Sequence, residues 1–272
     1  MRRAADRRRL RFAAAVVAGL LLSITAPMGR ASAAPACAQP LYLTFDTGHM
    51  GVAPLVAQVL KRQQVHVSFF LANERTLDGG MSLDDHWAPW WRERAAEGHV
   101  FGSHTWDHAT WLADRTDGHL ALRPSMGPQA GQTQLMTPAQ YCAELQRPAD
   151  RFKAITGQAM LPLFRAPGGK TSPALLKAAA ACGWTHVGWS PAGFLGDELP
   201  SQRFPNAQLL NKALADIRSG DILLAHLGIW SRQDAWAPVV LEPLIEGLKA
   251  RGFCFATLAQ HPKYAAILGA PR

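Results

Sequence analysis

Four short segments carry the residue types that hydrolytic chemistry needs. In "LYLTFDTGHMG" (41–51) an alternating apolar run of Leu41, Leu43 and Phe45 ends on a carboxylate, Asp46. A carboxylate closing a strand built for burial carries a desolvation cost unless a partner is supplied. The plain alternative is a turn aspartate closed by Gly48. In "GSHTWDH", His104 and His108 stand four residues apart. On a helical turn that spacing puts two imidazoles on one face, about 5–6 Å apart at Cβ. Two such rings suit a divalent cation, with Zn²⁺ the usual choice for imidazole; two surface histidines are the alternative, and Asp107 between them is an outer support or a surface group. In "LPLFRAPGGK", Arg165 offers a rigid cationic fork able to hold a carboxylate, and Pro167, Gly168 and Gly169 shape a tight loop through which substrate can approach the backbone. An arginine capping a turn is the alternative. In "GDILLAHLG" an apolar strand delivers His226, a candidate general acid because its charge changes near neutral pH. Taken singly, it reads equally as a satisfied core histidine. Jointly, a base, two metal ligands, an orienting cation and an acid are the parts of metal-assisted hydrolysis of an acyl group.

These groups must be positioned by regular elements. Short apolar runs at 41–46, 67–71, 100–103, 161–165, 185–189, 221–226 and 253–257 are expected strands. Helical patterns at 53–64, 88–97, 138–156, 172–181, 206–218 and 238–251 lie between them, several closed by glycine, as at Gly183 and Gly252. Strands alternating with helices predict an α/β fold with a parallel sheet, here a closed or nearly closed β/α barrel. In such barrels the chemistry sits at the C-terminal ends of the strands. Asp46, His104, Arg165 and His226 all fall at such ends. Two long irregular stretches, 78–91 and 111–136, read as functional loops.

The charge narrows the partners. The 272-residue chain holds 28 basic and 20 acidic residues, but seven arginines and one aspartate lie in 1–33. The remainder, 21 basic against 19 acidic, is close to neutral and gives no reason to expect nucleic acid. Residues 1–33 read as a secretory signal peptide: an arginine-rich start, the apolar run "FAAAVVAGLLLSITA", and Ala31-Ser32-Ala33 as a cleavage site. The run is shorter than the roughly 20 residues of a membrane span, although a retained anchor is the alternative. The expectation is an exported, periplasmic or secreted monomer with one domain over 34–272 and no stable membrane span after cleavage. Export permits disulfides; Cys37, Cys142, Cys182 and Cys254 allow three pairings, and free buried thiols are equally open.

The ordered set "TFDTG", "HTWDH", "RAPGG", "GWTHVGWSPA" and "ILLAH" resembles the five motifs of NodB-type polysaccharide deacetylases, carbohydrate esterase family 4, over roughly Tyr42 to Leu258. The resemblance implies a distorted (β/α)7 barrel and a metal-dependent hydrolase that deacetylates a polysaccharide; the branch acting on muramic acid or other peptidoglycan sugars looks most similar. It implies Asp46 as general base, His104 and His108 as metal ligands, Arg165 as the residue orienting the base, and His226 as general acid. Leu224 would line the acetyl pocket, and Trp189 and Gly168 the groove. Asp197 is the candidate for tuning His226, although "SPAGFLGDE" departs from the usual spacing. Trp87, Trp90, Trp91 and Trp111 are candidates for stacking on sugar faces, with ordinary packing as the alternative.

One departure matters. The family usually has a second aspartate after the base, as third metal ligand; here it is Thr47. Asp46 or water can complete the shell around the implied Zn²⁺, His49 can turn in, or the metal binds weakly and leaves a slow or inactive protein. The reading favoured is a working but weaker site. Its rivals are a non-catalytic glycan-binding protein and an O-acetyl, xylan-type esterase.

Overall fold

The computed structural model describes residues 37–269; the expected signal segment 1–33 lies outside them. In chain order the strands are β1 (Pro40–Asp46), β2 (Ser68–Leu71), β3 (Val100–Ser103), β4 (Ala109–Asp114), β5 (Leu120–Pro124), β6 (Gln134–Met136), β7 (Leu163–Phe164), β8 (Thr185–His186), β9 (Ile222–His226) and β10 (Cys254–Phe255). The helices are α1 (Ala53–Gln63), α2 (Ala88–Ala96), α3 (Pro138–Thr156), α4 (Pro173–Ala181), α5 (Asn206–Asp216), α6 (Ala237–Ala250) and α7 (Pro262–Leu268). Seven strands form a parallel sheet in the order β10-β1-β2-β3-β7-β8, with β9 also on β1. The sheet curls until the segment after β8 meets β9: Ser190 N–H donates to Ile222 O at 3.0 Å and Leu195 N–H to Leu224 O at 3.3 Å. The result is the expected distorted (β/α)7 barrel.

The pleat decides which side chains face the barrel interior. On β1, Leu41, Leu43 and Phe45 join the large cluster that includes α1 and α6 residues such as Val56 and Leu241. Tyr42, between them, belongs to a second cluster with Phe70, Leu163, Val187 and Ile222. Phe70, Leu163 and Ile222 come from β2, β7 and β9 and lie on the face opposite Phe69, Phe164 and Leu223 of their own strands, and Val187 directly follows β8. Every second residue therefore points inward, and Asp46 follows Tyr42 and Thr44 in that phase. Tyr264 of α7 joins this interior cluster beneath.

The expected strands and helices are all present, some shortened at their ends, and α7 is additional. The stretch 111–136 differs from its expected loop character. It supplies most of β4-β5-β6, a separate antiparallel sheet, because Leu120 and Leu122 pack on Tyr141 and Leu145 of α3. The stretch 78–91 is no sugar platform either. Trp87 and Trp91 are core residues with Trp90 packed against them, and Trp91 Nε1–H donates to Ser82 O at 2.8 Å. Trp111 is half-buried, its Nε1–H donating to Asp114 at 2.9 Å.

The cysteines, whose pairing the sequence leaves open, form Cys37–Cys254 and Cys142–Cys182. The second ties α3 to the end of α4 across a sequence separation of 40. Replacing both Cys142 and Cys182 by Ser should lower unfolding stability by roughly 3–5 kcal/mol through the freed loop. Urea titrations with and without reductant check this: the difference from wild type should vanish when both proteins are fully reduced, since each then lacks Cys37–Cys254 as well.

Candidate active site

Register brings distant residues to one rim. Asp46 and His226 are paired positions of β1 and β9. His104 follows β3, its N–H donating to Leu71 O at 2.8 Å; Arg165 follows β7, its N–H donating to Ser103 O at 2.9 Å. All four close strands whose inner faces converge. A cleft of about 210 Å³ opens there, lined by Asp46, Thr47, Glu74, His104, His108, Gly168, Trp189, Glu198, Leu224 and His226 among others.

Asp46 is 2% exposed and Arg165 is fully buried. Arg165 Nη1–H donates to Asp46 Oδ1 at 2.7 Å. The guanidinium is otherwise held by the carbonyls of Val187 (3.4 Å) and Gly188 (3.3 Å) and lies over the Phe70 ring at 4.3 Å. Burial alone would raise the Asp46 carboxyl; Arg165, with His104 and His226, outweighs it and holds Asp46 below the usual aspartate range. The loop after Arg165 stays narrow. Gly169 has φ +66°, and a Cβ there would come within 2.5 Å of the Trp189 ring, so the glycine lets Trp189 pack over the loop.

His104 and His108 meet, but not on a helix. Thr105 (φ 60°) and His108 (φ 48°) are left-handed, a costly region for a β-branched residue. The turn is stapled by Thr105 Oγ1, which accepts from Ala109 N–H at 2.8 Å. The rings lie 4.8 Å apart between centroids. His104 Nδ1–H donates to Arg165 O at 2.9 Å, and His108 Nδ1 pairs with Ser125 Oγ at 2.8 Å. Burial pushes His104 down to about 4, so its imidazole is neutral, with Nε2 3.5 Å from Asp46 Oδ2. Such locking of one ring nitrogen frees the other as a ligand. Asp107 faces away, toward Arg147 at 3.9 Å.

Asp197, despite its unusual spacing, reaches His226: Oδ1 is 3.0 Å from Nδ1, and Oδ2 accepts from the His226 backbone N–H at 2.6 Å. Burial opposes the charged ring, yet Asp197, Asp46 and Glu198 raise His226 to about 9. His49 is turned to its own loop, Nδ1 accepting from Gly51 N–H at 3.0 Å, with its ring against Trp230. Of the named site residues, Asp46, His104, His108, Gly168, Trp189, Leu224 and His226 line the cleft, while Arg165 and Asp197 support them from behind. The cleft also holds Glu74, Thr110, Glu198 and Ile229, which the motifs do not mark, and Trp230, next in the chain after Ile229, is 56% exposed. Glu74, just past the end of β2, is open to the same strand-end rule that marked the others.

Among the described residues no three His, Cys, Asp or Glu side chains form a ready-made coordination group. The donor chemistry still fits a divalent cation. Two imidazoles are pre-oriented, each with one nitrogen engaged, and carboxylates of Asp46 and Glu74 line the same cleft. Thr47 does not act as a substitute carboxylate. Its Oγ1 accepts from Ala72 N–H at 3.0 Å, and its N–H donates to Phe70 O at 3.0 Å.

Residues 33–187 match the family model described as polysaccharide deacetylase. A chitooligosaccharide deacetylase of Azorhizobium caulinodans is 29% identical over 230 residues, covering 80% of this chain and 92% of that protein. An acetyl xylan esterase from Clostridium thermocellum, solved with a cobalt ion, superposes with TM-score 0.62 at 22% identity, covering 86% of this chain and 93% of that one. A peptidoglycan N-acetylglucosamine deacetylase superposes with TM-score 0.60 at 22% identity, covering 82% and 87%. At these identities the two structures speak for the fold alone.

Removing one partner of a buried ion pair strands the other. Arg165→Met should therefore destabilise the protein by about 3–5 kcal/mol at pH 7. Lowering the pH until Asp46 protonates should shrink the deficit relative to wild type, which denaturant titrations at several pH values will read.

Proposed function

The chain belongs to the polysaccharide deacetylase family, carbohydrate esterase family 4, and from that premise we propose that it is an exported hydrolase that removes N-acetyl groups from an acetylated polysaccharide, peptidoglycan or chitin-like, with a divalent cation, Zn²⁺ in the first instance. The family is one of hydrolases acting on amide bonds. The observation that carries the finer reading is the facing of two supported groups across one cleft: Asp46 on Arg165, and His226 on Asp197.

His104 and His108, with a carboxylate, would hold the cation, which when bound would supply Lewis acidity to the acyl oxygen and to water. Asp46, with Oδ1 tied to Arg165, keeps Oδ2 toward the cleft to accept a proton from the attacking water. Its lowered carboxyl is ionised at neutral pH. As the C–N bond breaks, His226 donates its Nε2 proton to the departing amine nitrogen. Its Nδ1 is fixed by Asp197, and its raised value of about 9 keeps it charged at neutral pH. Leu224, 3% exposed, offers the apolar wall an acetyl methyl requires, and Trp189 and Gly168 flank it. Export is part of the same reading: the charge and hydropathy pattern of 1–33 supports it, and two disulfides suit an oxidising compartment. We read the working protein as a monomer, and among the described residues no helix is long and apolar enough to cross a membrane.

Thr47 favours a second reading, a glycan-binding protein that does not turn over. Acetate release by the purified protein from peptidoglycan, chitin oligomers and acetylated xylan, with and without added Zn²⁺, separates the readings. Release from an N-acetyl glycan is expected. Saccharide binding without acetate establishes the second reading, and release from xylan alone an O-acetyl esterase. Asp46→Asn should lower kcat by roughly 10²–10⁴-fold, the range of a general base; full turnover in that variant would remove Asp46 from the role.

The pH profile follows from the same pairs. The base must be ionised and the acid protonated, so kcat/KM should hold through neutral pH and fall as His226 deprotonates near 9. Asp197→Asn removes the main charge raising His226 and leaves only Asp46 and Glu198 against the burial that lowers it. The alkaline limb should move toward neutral pH, while a merely structural role for Asp197 would reduce activity without moving it.

A further inference from the structure

Glu74 is 8% exposed, yet among the described residues no hydrogen bond or ion pair reaches its carboxylate. Only its backbone is engaged: N–H donates to Ser82 Oγ at 3.0 Å, and O accepts from Ser82 N–H at 2.7 Å. The carboxylate oxygens keep some exposure and open onto the cleft, so a side chain nine-tenths buried ends in an acceptor that no protein group satisfies. Glu74 lines the cleft beside His104 and His108. We propose that Glu74 is the third protein ligand of the metal, supplying the carboxylate that position 47 lacks.

Thr47 and Glu74 are linked physically. With its hydroxyl holding Ala72 N–H, Thr47 fixes the chain as it leaves β2. Asn73 N–H donates to Trp106 O at 2.8 Å, inside the turn carrying the two histidines. The residue between these anchors and Ser82 is Glu74. The charge missing from the end of β1 is thus replaced from the neighbouring strand end, on a side chain longer by one methylene. Two imidazoles with one carboxylate form a set used by catalytic zinc sites that keep a position open. A carboxylate at the cleft with no partner in the protein is then explained, because the cation itself is the counter-charge.

This inference rests on the metal-dependent reading above, and one titration separates the two. Chelator-treated full-length mature protein is titrated with Zn²⁺ by calorimetry, and with Co²⁺ by visible absorption, for wild type, Glu74→Gln, Glu74→Asp and Glu74→Gln/Thr47→Asp. The expected result is one equivalent bound by wild type and a loss in Glu74→Gln exceeding the roughly 10–100-fold that outer supports contribute. The Co²⁺ spectrum should change in that variant. Glu74→Asp should fall between, and Thr47→Asp should recover most of the affinity lost in Glu74→Gln. Without metal, Glu74→Gln should melt no lower than wild type, since it removes an uncompensated buried group. Equal Zn²⁺ affinity in wild type and Glu74→Gln overturns the assignment while leaving the metal reading intact. A lower melting temperature of metal-free Glu74→Gln marks a structural role and overturns it too. Wild type that binds no Zn²⁺ overturns both.

Discussion

The buried contact between Asp46 and Arg165 is the constraint around which the site is arranged. Neither charge has water for compensation, so the protein must supply everything water would. It does so with three strands. β1 ends in the carboxylate, β7 leads into the arginine, and the carbonyls of Val187 and Gly188 beyond β8 accept two further guanidinium N–H groups. Arg165 also accepts, through its carbonyl, the Nδ1–H of His104. One residue thereby fixes both the Asp46 carboxylate and the His104 tautomer, the two groups proposed as proton acceptor and metal ligand.

A second carboxylate produces the opposite result on the other side of the cleft. Arg165 favours loss of a proton at Asp46, and Asp197 favours its retention at His226. Groups whose environments push their proton affinities apart can serve as base and acid at one pH. The separation needs no movement, because the supports lie behind the reactive groups, in the barrel wall. The turn carrying His104 and His108 holds two non-glycine residues in left-handed conformation, strain that surrounding packing must offset.

Much of this was legible in the sequence, for a simple reason. The period-2 alternation of β1 sets the phase of Asp46, and each apolar run stops where its chemical residue begins. Asp197 was visible as a carboxylate near the right place, although loop length hid its match to His226. Other features depend on partners far along the chain. Leu120 and Leu122 become a strand only because α3 offers Tyr141 and Leu145. Trp87 and Trp91 look like exposed loop aromatics until the core around Phe69 and Phe101 surrounds them. Glu74 stands just past a strand end like the others, but the absence of a partner that singles it out shows only in three dimensions.

The central claim is that Arg165 keeps Asp46 ionised against its burial. A carboxyl ¹³C NMR titration of metal-free protein, with Asp46 assigned by difference from Asp46→Asn, measures this directly. The account expects the Asp46 signal to titrate below the ordinary aspartate value of about 3.9. A midpoint at or above that value would show burial winning over the ion pair, and would contradict it.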